Sequence, residues 1–525
     1  MDGARQDGVT CTHPAHGVIK VKRNVRQRRS LIQRSLVLRT GDIGRRVISG
    51  AGYQVTGIVL RTTITVASTA VLARLLMPAD FGYIAMATVV TEFAALFGAF
   101  GFTNVLIQRR VITRLQLDTV FWASLGIGSV LTLAVFLASF LTSWLFADPQ
   151  VGPLLRVLCL SFVLNSFSAV PWTVMSRLMR FRTEFWINIT NVVVRTSATV
   201  SCAWFGFGVW SLVVGALVGS VVGGVLSFVF VPYLPRFRFY LPLLMGTWRT
   251  SGGYLGNTLL YYASSNIDLL LIGRQLGAAP LGYYQNARSL TDEIRARIAM
   301  PIQHVLFPAL SALQNERERI QQLVLRAGRL LAAVVVPVGL GVSVNATELV
   351  LVLYGEMWRP MIPVMAFFGL SAALRAATAI ASPLFNANDR VGLALRYNAI
   401  GAALLIGGVL LAMPYGLEMV AAAVAVVSLY SLVSFRAAFG LIGLGLRDMT
   451  QVLAPPLLSG VVMGLFTVAS RQLAWSHEPA VLLPVHVVVG AFVYLSTLHL
   501  ISGRYMQDVR QISAMVFKRR GGDVT

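Results

Sequence analysis

From about residue 51 to residue 502 the chain alternates long apolar runs with short polar breaks. Each run is about 20 residues long, and at about 1.5 Å per residue a helix of that length crosses a hydrocarbon core of roughly 30 Å. Fourteen runs are read, near 51–73, 82–107, 118–146, 151–172, 184–205, 208–232, 251–273, 281–311, 323–345, 361–386, 391–413, 417–440, 452–470 and 480–502. A helix pairs its own backbone groups, which lipid cannot do, so the pattern predicts an all-α integral membrane protein.

One connection in this pattern is written twice. Residues 73–87 read ARLLMPADFGYIAMA and residues 273–287 read GRQLGAAPLGYYQNA. At a constant offset of 200 the pairs Arg74/Arg274, Leu76/Leu276, Ala79/Ala279, Gly82/Gly282, Tyr83/Tyr283 and Ala87/Ala287 are identical. Six runs lie between the copies, an even number, so both copies face the same side of the membrane. Two parallel six-helix lobes are therefore expected, related by an axis along the membrane normal. The expected division is a basic cytoplasmic tail over 1–48, lobes over 49–235 and 250–440, an additional helix pair over 450–503, and a second basic tail over 504–525. Each repeated stretch is read as the turn after a lobe's first helix, with its glycine at the tight point of the turn.

Composition agrees with the membrane reading and removes others. The 525 residues are 56% hydrophobic and 12% charged, with a mean hydropathy of +0.71; a soluble surface needs about a quarter of its residues charged. The formal charge of +23 suggests nucleic acid until its placement is examined. Arg109, Arg110, Arg114, Arg177, Arg180 and Arg182 fall in loops on one side, whereas the opposite loops mix Arg74, Arg274 and Arg359 with Asp80, Asp148, Glu348 and Glu418. That is a positive-inside distribution with both termini in the cytoplasm, and no nucleic-acid partner is called for. The basic leader is expected to be disordered and to lie on anionic membrane lipid. Cys11, Cys159 and Cys202 form no metal or disulfide motif. There is no phosphate-binding GxxxxGK[ST] loop, and the breaks between runs are too short to fold a catalytic domain, so neither an enzyme nor a bound cofactor is expected.

Ionisable side chains inside a span are costly and become functional candidates. At helical spacing they continue polar rows: Gly57, Arg61, Thr65 and Ser68; Asn188, Asn191, Arg195, Thr199 and Cys202; Asn257, Tyr261, Ser264 and Asp268; Tyr284, Arg288, Asp292 and Arg295; Ser371, Arg375, Thr378 and Ser382. Steps of three and four keep each row on one helix face, as the lining of a polar interior requires. Arg61, Arg195, Arg288 and Arg375 are the candidate cationic cleft, since a guanidinium stays charged and can make paired hydrogen bonds to phosphate. Glu92, Asp268 and Asp292 are the candidate ion-coupling acids; pairing with an arginine is the structural alternative for each.

Three stretches, LARLLMPADFGYIAMATVV at 72–90, RLMRFRTEFWINI at 177–189 and MPIQHVLFPALSALQNERERI at 300–320, carry a resemblance. They resemble the polysaccharide-exporting Wzx branch of the superfamily that also contains MATE drug exporters and the MurJ lipid II flippase, over nearly the whole chain from about residue 41. Within that branch the chain is most similar to exopolysaccharide exporters of the WzxC and succinoglycan type, and its basic leader departs from their pattern. The resemblance implies a flippase that moves undecaprenyl-pyrophosphate-linked oligosaccharide units from the inner to the outer leaflet of the bacterial inner membrane. It implies alternating access, a lipid-linked oligosaccharide as cargo, and polysaccharide polymerase and chain-length regulator proteins as partners. A MATE-like cation or drug antiporter and, from another class, a polysaccharide polymerase or ligase are the alternative readings.

Overall fold

The computed structural model describes residues 43–98, 106, 112–231, 233–313, 316–473, 478–503, 505 and 507. Among them the regular structure is helical, and fourteen long helical rods follow one another. In chain order they are α1 Ile43–Leu75, α2 Pro78–Gly98, α3 Arg114–Leu141, α4 Val151–Arg177, α5 Phe181–Trp204, α6 Trp210–Phe230, α7 Pro242–Gln275, α8 Ala278–Ala312, α9 Arg317–Val344, α10 Met361–Ala387, α11 Val391–Ala412, α12 Leu417–Leu441, α13 Leu446–Leu473 and α14 Pro479–Ile501. Eleven are long and apolar enough to cross a membrane. The other three, α5, α7 and α8, are long enough but too polar, because they carry the rows around Arg195, Asp268 and Arg288.

Local chemistry sets several boundaries. Thr113 and Gln116 form a reciprocal capping box that starts α3, with the Thr113 amide donating to Gln116 Oε1 at 3.0 Å. The regular helix is interrupted in α4 at Cys159, in α10 over 378–380 and in α12 at Leu429. Helical periodicity therefore does not carry the Ser371 row through to Ser382. At the other end of the chain, α1 begins at Ile43, inside the stretch expected to be tail up to residue 48. The rest of the basic leader, and residues 508–525, lie outside the described residues.

Three larger cores organise the bundle. One, with Phe121, Val174, Met175 and Ile187 at its centre, belongs to the first half of the chain. A second, around Val324, Leu331, Phe385 and Phe439, belongs to the second half. The third is shared, bringing Ala73, Met86 and Leu155 together with Ile272, Leu281 and Trp358. The halves thus have separate interiors toward one end of the bundle and a common one at the end that carries the repeated stretches.

The connector between the halves is tied down on α3 at Tyr233 and Arg236. Asp118 accepts from the Tyr233 hydroxyl at 2.7 Å and from the Arg236 amide at 3.3 Å, and Trp122 Nε1 donates to the Arg236 carbonyl at 2.8 Å. The last two helices stand against α9. His486 Nδ1 lies 3.0 Å from Asn345 Oδ1, Arg471 pairs with Glu348 at 2.6 Å, and the Tyr494 hydroxyl donates to the Ala333 carbonyl at 2.9 Å.

Candidate functional site

The two copies of the repeated stretch touch each other. Gly82 presses on the Ala278 carbonyl and Gly282 on the Pro78 carbonyl, so closely that a Cβ at either position would overlap that backbone. The relation is reciprocal, as a two-fold axis between the halves requires. It also corrects the expectation that these glycines make the turn. Both lie within helices, on α2 and α8, and the residue with the left-handed backbone in the second turn is Gly277, at φ 90°. Gly82 and Gly282 are small because two backbones cross there.

The arginines of the repeat reach across in the same sense. Arg74 donates to the Val352 carbonyl of the second half at 2.9 Å. Arg274, its counterpart, lies over the ring of Trp144 in the first half, 5.6 Å from the centroid. Trp358 completes the seam. Its side chain is fully buried, its indole donates to the Ala73 carbonyl at 2.9 Å, and Phe81 and Tyr283 meet its ring edge-on at 5.2 and 5.7 Å. Tyr354 beside it is a neutral phenol, which burial pushes up to about 12. Further along α2, the Tyr262 hydroxyl of α7 donates to the Val89 carbonyl at 3.0 Å and to Glu92 at 3.2 Å.

The candidate cations fall into two helix pairs, one in each half. Arg61 on α1 and Arg195 on α5 belong to helices that pack together, as do Arg288 on α8 and Arg375 on α10. Arg61 is half-buried and its Nε lies 3.4 Å from the Gly57 carbonyl. Arg195 is exposed, with its stem over Gly219 of α6. Two other members of its row serve packing: Thr199 sits against Gly215, and Asn191 donates to the Gly219 carbonyl at 2.8 Å. Arg375 is exposed on α10.

Arg288 is differently placed. Its guanidinium bonds both oxygens of Asp268 at 3.0 Å, donates to the Ser265 carbonyl at 2.6 Å, and lies 3.5 Å from Asp292. The Tyr284 hydroxyl closes the group by donating to Asp268 at 2.6 Å. Asp268 and Asp292, two of the three candidate coupling acids, thus share one arginine, while the third, Glu92, sits at the seam between halves. The Arg295 side chain lies outside the described residues.

The individual residues left traces in the sequence of different strength. The crossing of Gly82 and Gly282 was signalled by their identity at the repeat offset, but not by any local pattern. Trp358, in the polar break YGEMWRP, gave only the cue of a tryptophan at an interface. Arginines outside the candidate cleft also hold carbonyls: Arg177 donates to the Leu106 carbonyl at 2.7 Å and Arg317 to the Ile442 carbonyl at 3.1 Å.

Residues 71–363 match a family described as polysaccharide biosynthesis protein. The lipopolysaccharide biosynthesis protein WzxC of Escherichia coli K12 is 26% identical over 382 residues, 70% of this chain and 76% of that protein. The succinoglycan biosynthesis transport protein ExoT of Rhizobium meliloti is 27% identical over 58% of this chain and 62% of its own length. The teichuronic acid biosynthesis protein TuaB of Bacillus subtilis is 24% identical over 86% and 95%. Among solved structures, the lipid II flippase MurJ in an inward closed conformation superposes with a TM-score of 0.67 at 13% identity, covering 86% of this chain and 98% of that one. An inward-facing MATE-family multidrug transporter gives 0.58 at 15% identity over 73% and 94%.

Proposed function

Because the chain belongs to the polysaccharide biosynthesis protein family, we propose that it is a flippase for lipid-linked oligosaccharide repeat units in exopolysaccharide or lipopolysaccharide biosynthesis. The cargo is an undecaprenyl-pyrophosphate head bearing sugars, moved from the inner to the outer leaflet of the bacterial inner membrane. It is a transporter rather than an enzyme, as its relatives with transport names are. Sugar polymerase and chain-length regulator proteins are its expected neighbours.

The observation that carries the reading is the reciprocal contact of Gly82 and Gly282, because it joins two similar halves at one end while each keeps its own core toward the other. With the basic loops in the cytoplasm, the joined end faces outward and the halves part inward. All fourteen rods cross the membrane in this reading, the three polar ones with Arg195 at the cleft and with Asp268 and Arg288 paired to each other. The lobes comprise α1 to α6 and α7 to α12, and the pair α13 and α14 supports the second lobe. Arg61, Arg195 and Arg375 receive the pyrophosphate, and Arg288 joins them when Asp268 and Asp292 release it. The prenyl tail stays in lipid between the lobes.

Loss of the gene tests the class. A flippase mutant accumulates single lipid-linked repeats on the cytoplasmic face, whereas a polymerase mutant still exports single units. Replacement of Arg61, Arg195 or Arg375 by Gln is expected to stop export at normal protein level, and Lys to restore part of it, since Lys keeps the charge but loses the fork. Full export in all three Gln variants would remove the cationic cleft from the reading.

A further inference from the structure

Between α2, α3 and α4 the first half holds a cavity of about 360 Å³ that the cationic cleft does not use. Its walls are more apolar than polar, and the neutral hydrogen-bonding groups set into them are Ser124 from α3 and Ser161, Asn165 and Ser166 from α4. The α2 wall adds Thr91 and a single carboxylate, Glu92, and among the described residues no arginine or lysine lines the space. Among the described residues, the side chains of Ser124, Ser161 and Asn165 make no hydrogen bond to the protein. Polar groups at mid-helix in a membrane bundle need a partner.

We propose that this cavity is a saccharide subsite that takes one neutral sugar ring of the lipid-linked cargo; the proposal rests on the flippase reading and gives it a specificity element. The chemistry selects the occupant. Neutral hydroxyl and amide groups match a ring of sugar hydroxyls, and Glu92 accepts from two of them. Phe162 and Leu131 offer an apolar wall to the ring's C–H face. A lone carboxylate with no cation repels the pyrophosphate and any acidic sugar, so both are turned toward the arginines. A bare metal ion is a poor match, because it needs several oxygens converging at about 2–2.6 Å, whereas this space is large.

Its shape is built in. At Gly128 a side chain would run into Ser166 and the Phe162 carbonyl, so the glycine sets how near α3 and α4 can come at the cavity floor. Ala95, Gly98 and Ala169 keep the remaining walls low. The rim carries a link to the other half, because Glu92 is the residue to which Tyr262 donates. A sugar hydroxyl that takes Glu92 displaces Tyr262 and loosens one contact across the seam.

The test is binding of defined lipids to the purified full-length protein by native mass spectrometry. The probes are undecaprenyl pyrophosphate, the same lipid carrying one glucose, and the same lipid carrying one glucuronic acid. The glucose probe is expected to bind about tenfold more tightly than the bare lipid, the size of two or three neutral hydrogen bonds, and the glucuronic acid probe to show no gain. Asn165→Ala with Ser161→Ala removes the gain by deleting partners, and Ala169→Leu removes it by filling space; both leave bare-lipid affinity unchanged. Equal binding of all three probes to the unmodified protein overturns the subsite, as does a glucose gain that survives in Asn165→Ala with Ser161→Ala. Failure of the bare lipid to bind overturns the flippase reading itself and is recognised separately.

Discussion

Gly82 and Gly282, 200 positions apart, each lie against the backbone of the other's helix, Gly82 on Ala278 and Gly282 on Pro78. Overpacking a tight contact costs about 1–3 kcal/mol. Gly82→Ala or Gly282→Ala is therefore expected to part the halves at this end and shift that equilibrium about tenfold or more. Thiol labelling of Ala73→Cys, a position fully buried in the seam, is expected to speed up by that factor in either variant. An unchanged labelling rate in both would mean that the crossing does not hold the seam shut.

Trp358 closes the same seam with a large side chain. Truncating a buried Trp to Ala costs about 3–5 kcal/mol, and part of that cost falls on the contact between halves. Trp358→Phe keeps most of the apolar volume and loses the donation to Ala73. The expected order of seam labelling is Trp358→Ala above Trp358→Phe above the unmodified protein. Were Trp358→Ala to lower thermal stability without changing labelling, Trp358 would serve only its own half.

Arg288 and Asp268 are expected to behave as one unit. Removing one member of a buried ion pair strands the other and costs about 3–5 kcal/mol, whereas removing both costs less. Arg288→Gln and Asp268→Asn are thus each expected to lower the melting temperature in detergent more than their combination does. Additive losses would show that the two side chains do not depend on each other, despite their 3.0 Å contacts.

The energy source separates at Glu92. Moving the roughly two negative charges of a pyrophosphate head outward across an inside-negative membrane releases on the order of 4–5 kcal/mol at 100 mV. If potential alone drives transport, Glu92→Gln protein in vesicles still exports and still responds to an imposed potential. Export that collapses in this variant, and that follows a proton or sodium gradient at zero potential in the unmodified protein, would identify Glu92 as a coupling site.

Removal of residues 1–40 is expected to leave export intact, since this basic, apolar-poor stretch has little to contribute to a core. Loss of export at normal membrane level would instead assign the leader a partner.

Much of the fold was legible because lipid imposes a simple rule: an apolar run of sufficient length becomes a helix. The rule is blind to partners. It placed Asp268 and Arg288 on their helices but could not join them, because their proximity depends on how α7 lies against α8. It read the Asn191 and Thr199 row as cavity lining, whereas both contact the glycines of α6, a partner that periodicity within one helix does not reveal. Residues Gly82 and Gly282 were singled out as a repeated pair and still misassigned to a turn. Glycine has two uses, conformational freedom and absence of volume, and a sequence alone does not say which one is in play. Neither the cavity beside Glu92 nor the link to Tyr262 had any linear signature, since each joins helices distant in the chain.

The arrangement of three cores divides the work of holding the molecule together from the work of moving it. Substitutions around Phe121 or Phe439 burden a core that stays inside one half, and they should register as lost protein rather than altered transport. In the proposed cycle the shared core around Ala73, Leu281 and Trp358 comes apart and reforms, so it cannot be improved without limit. A tighter seam would give a sturdier protein that turns over more slowly, and mutants selected for heat resistance should cluster away from it while mutants selected for speed should cluster within it.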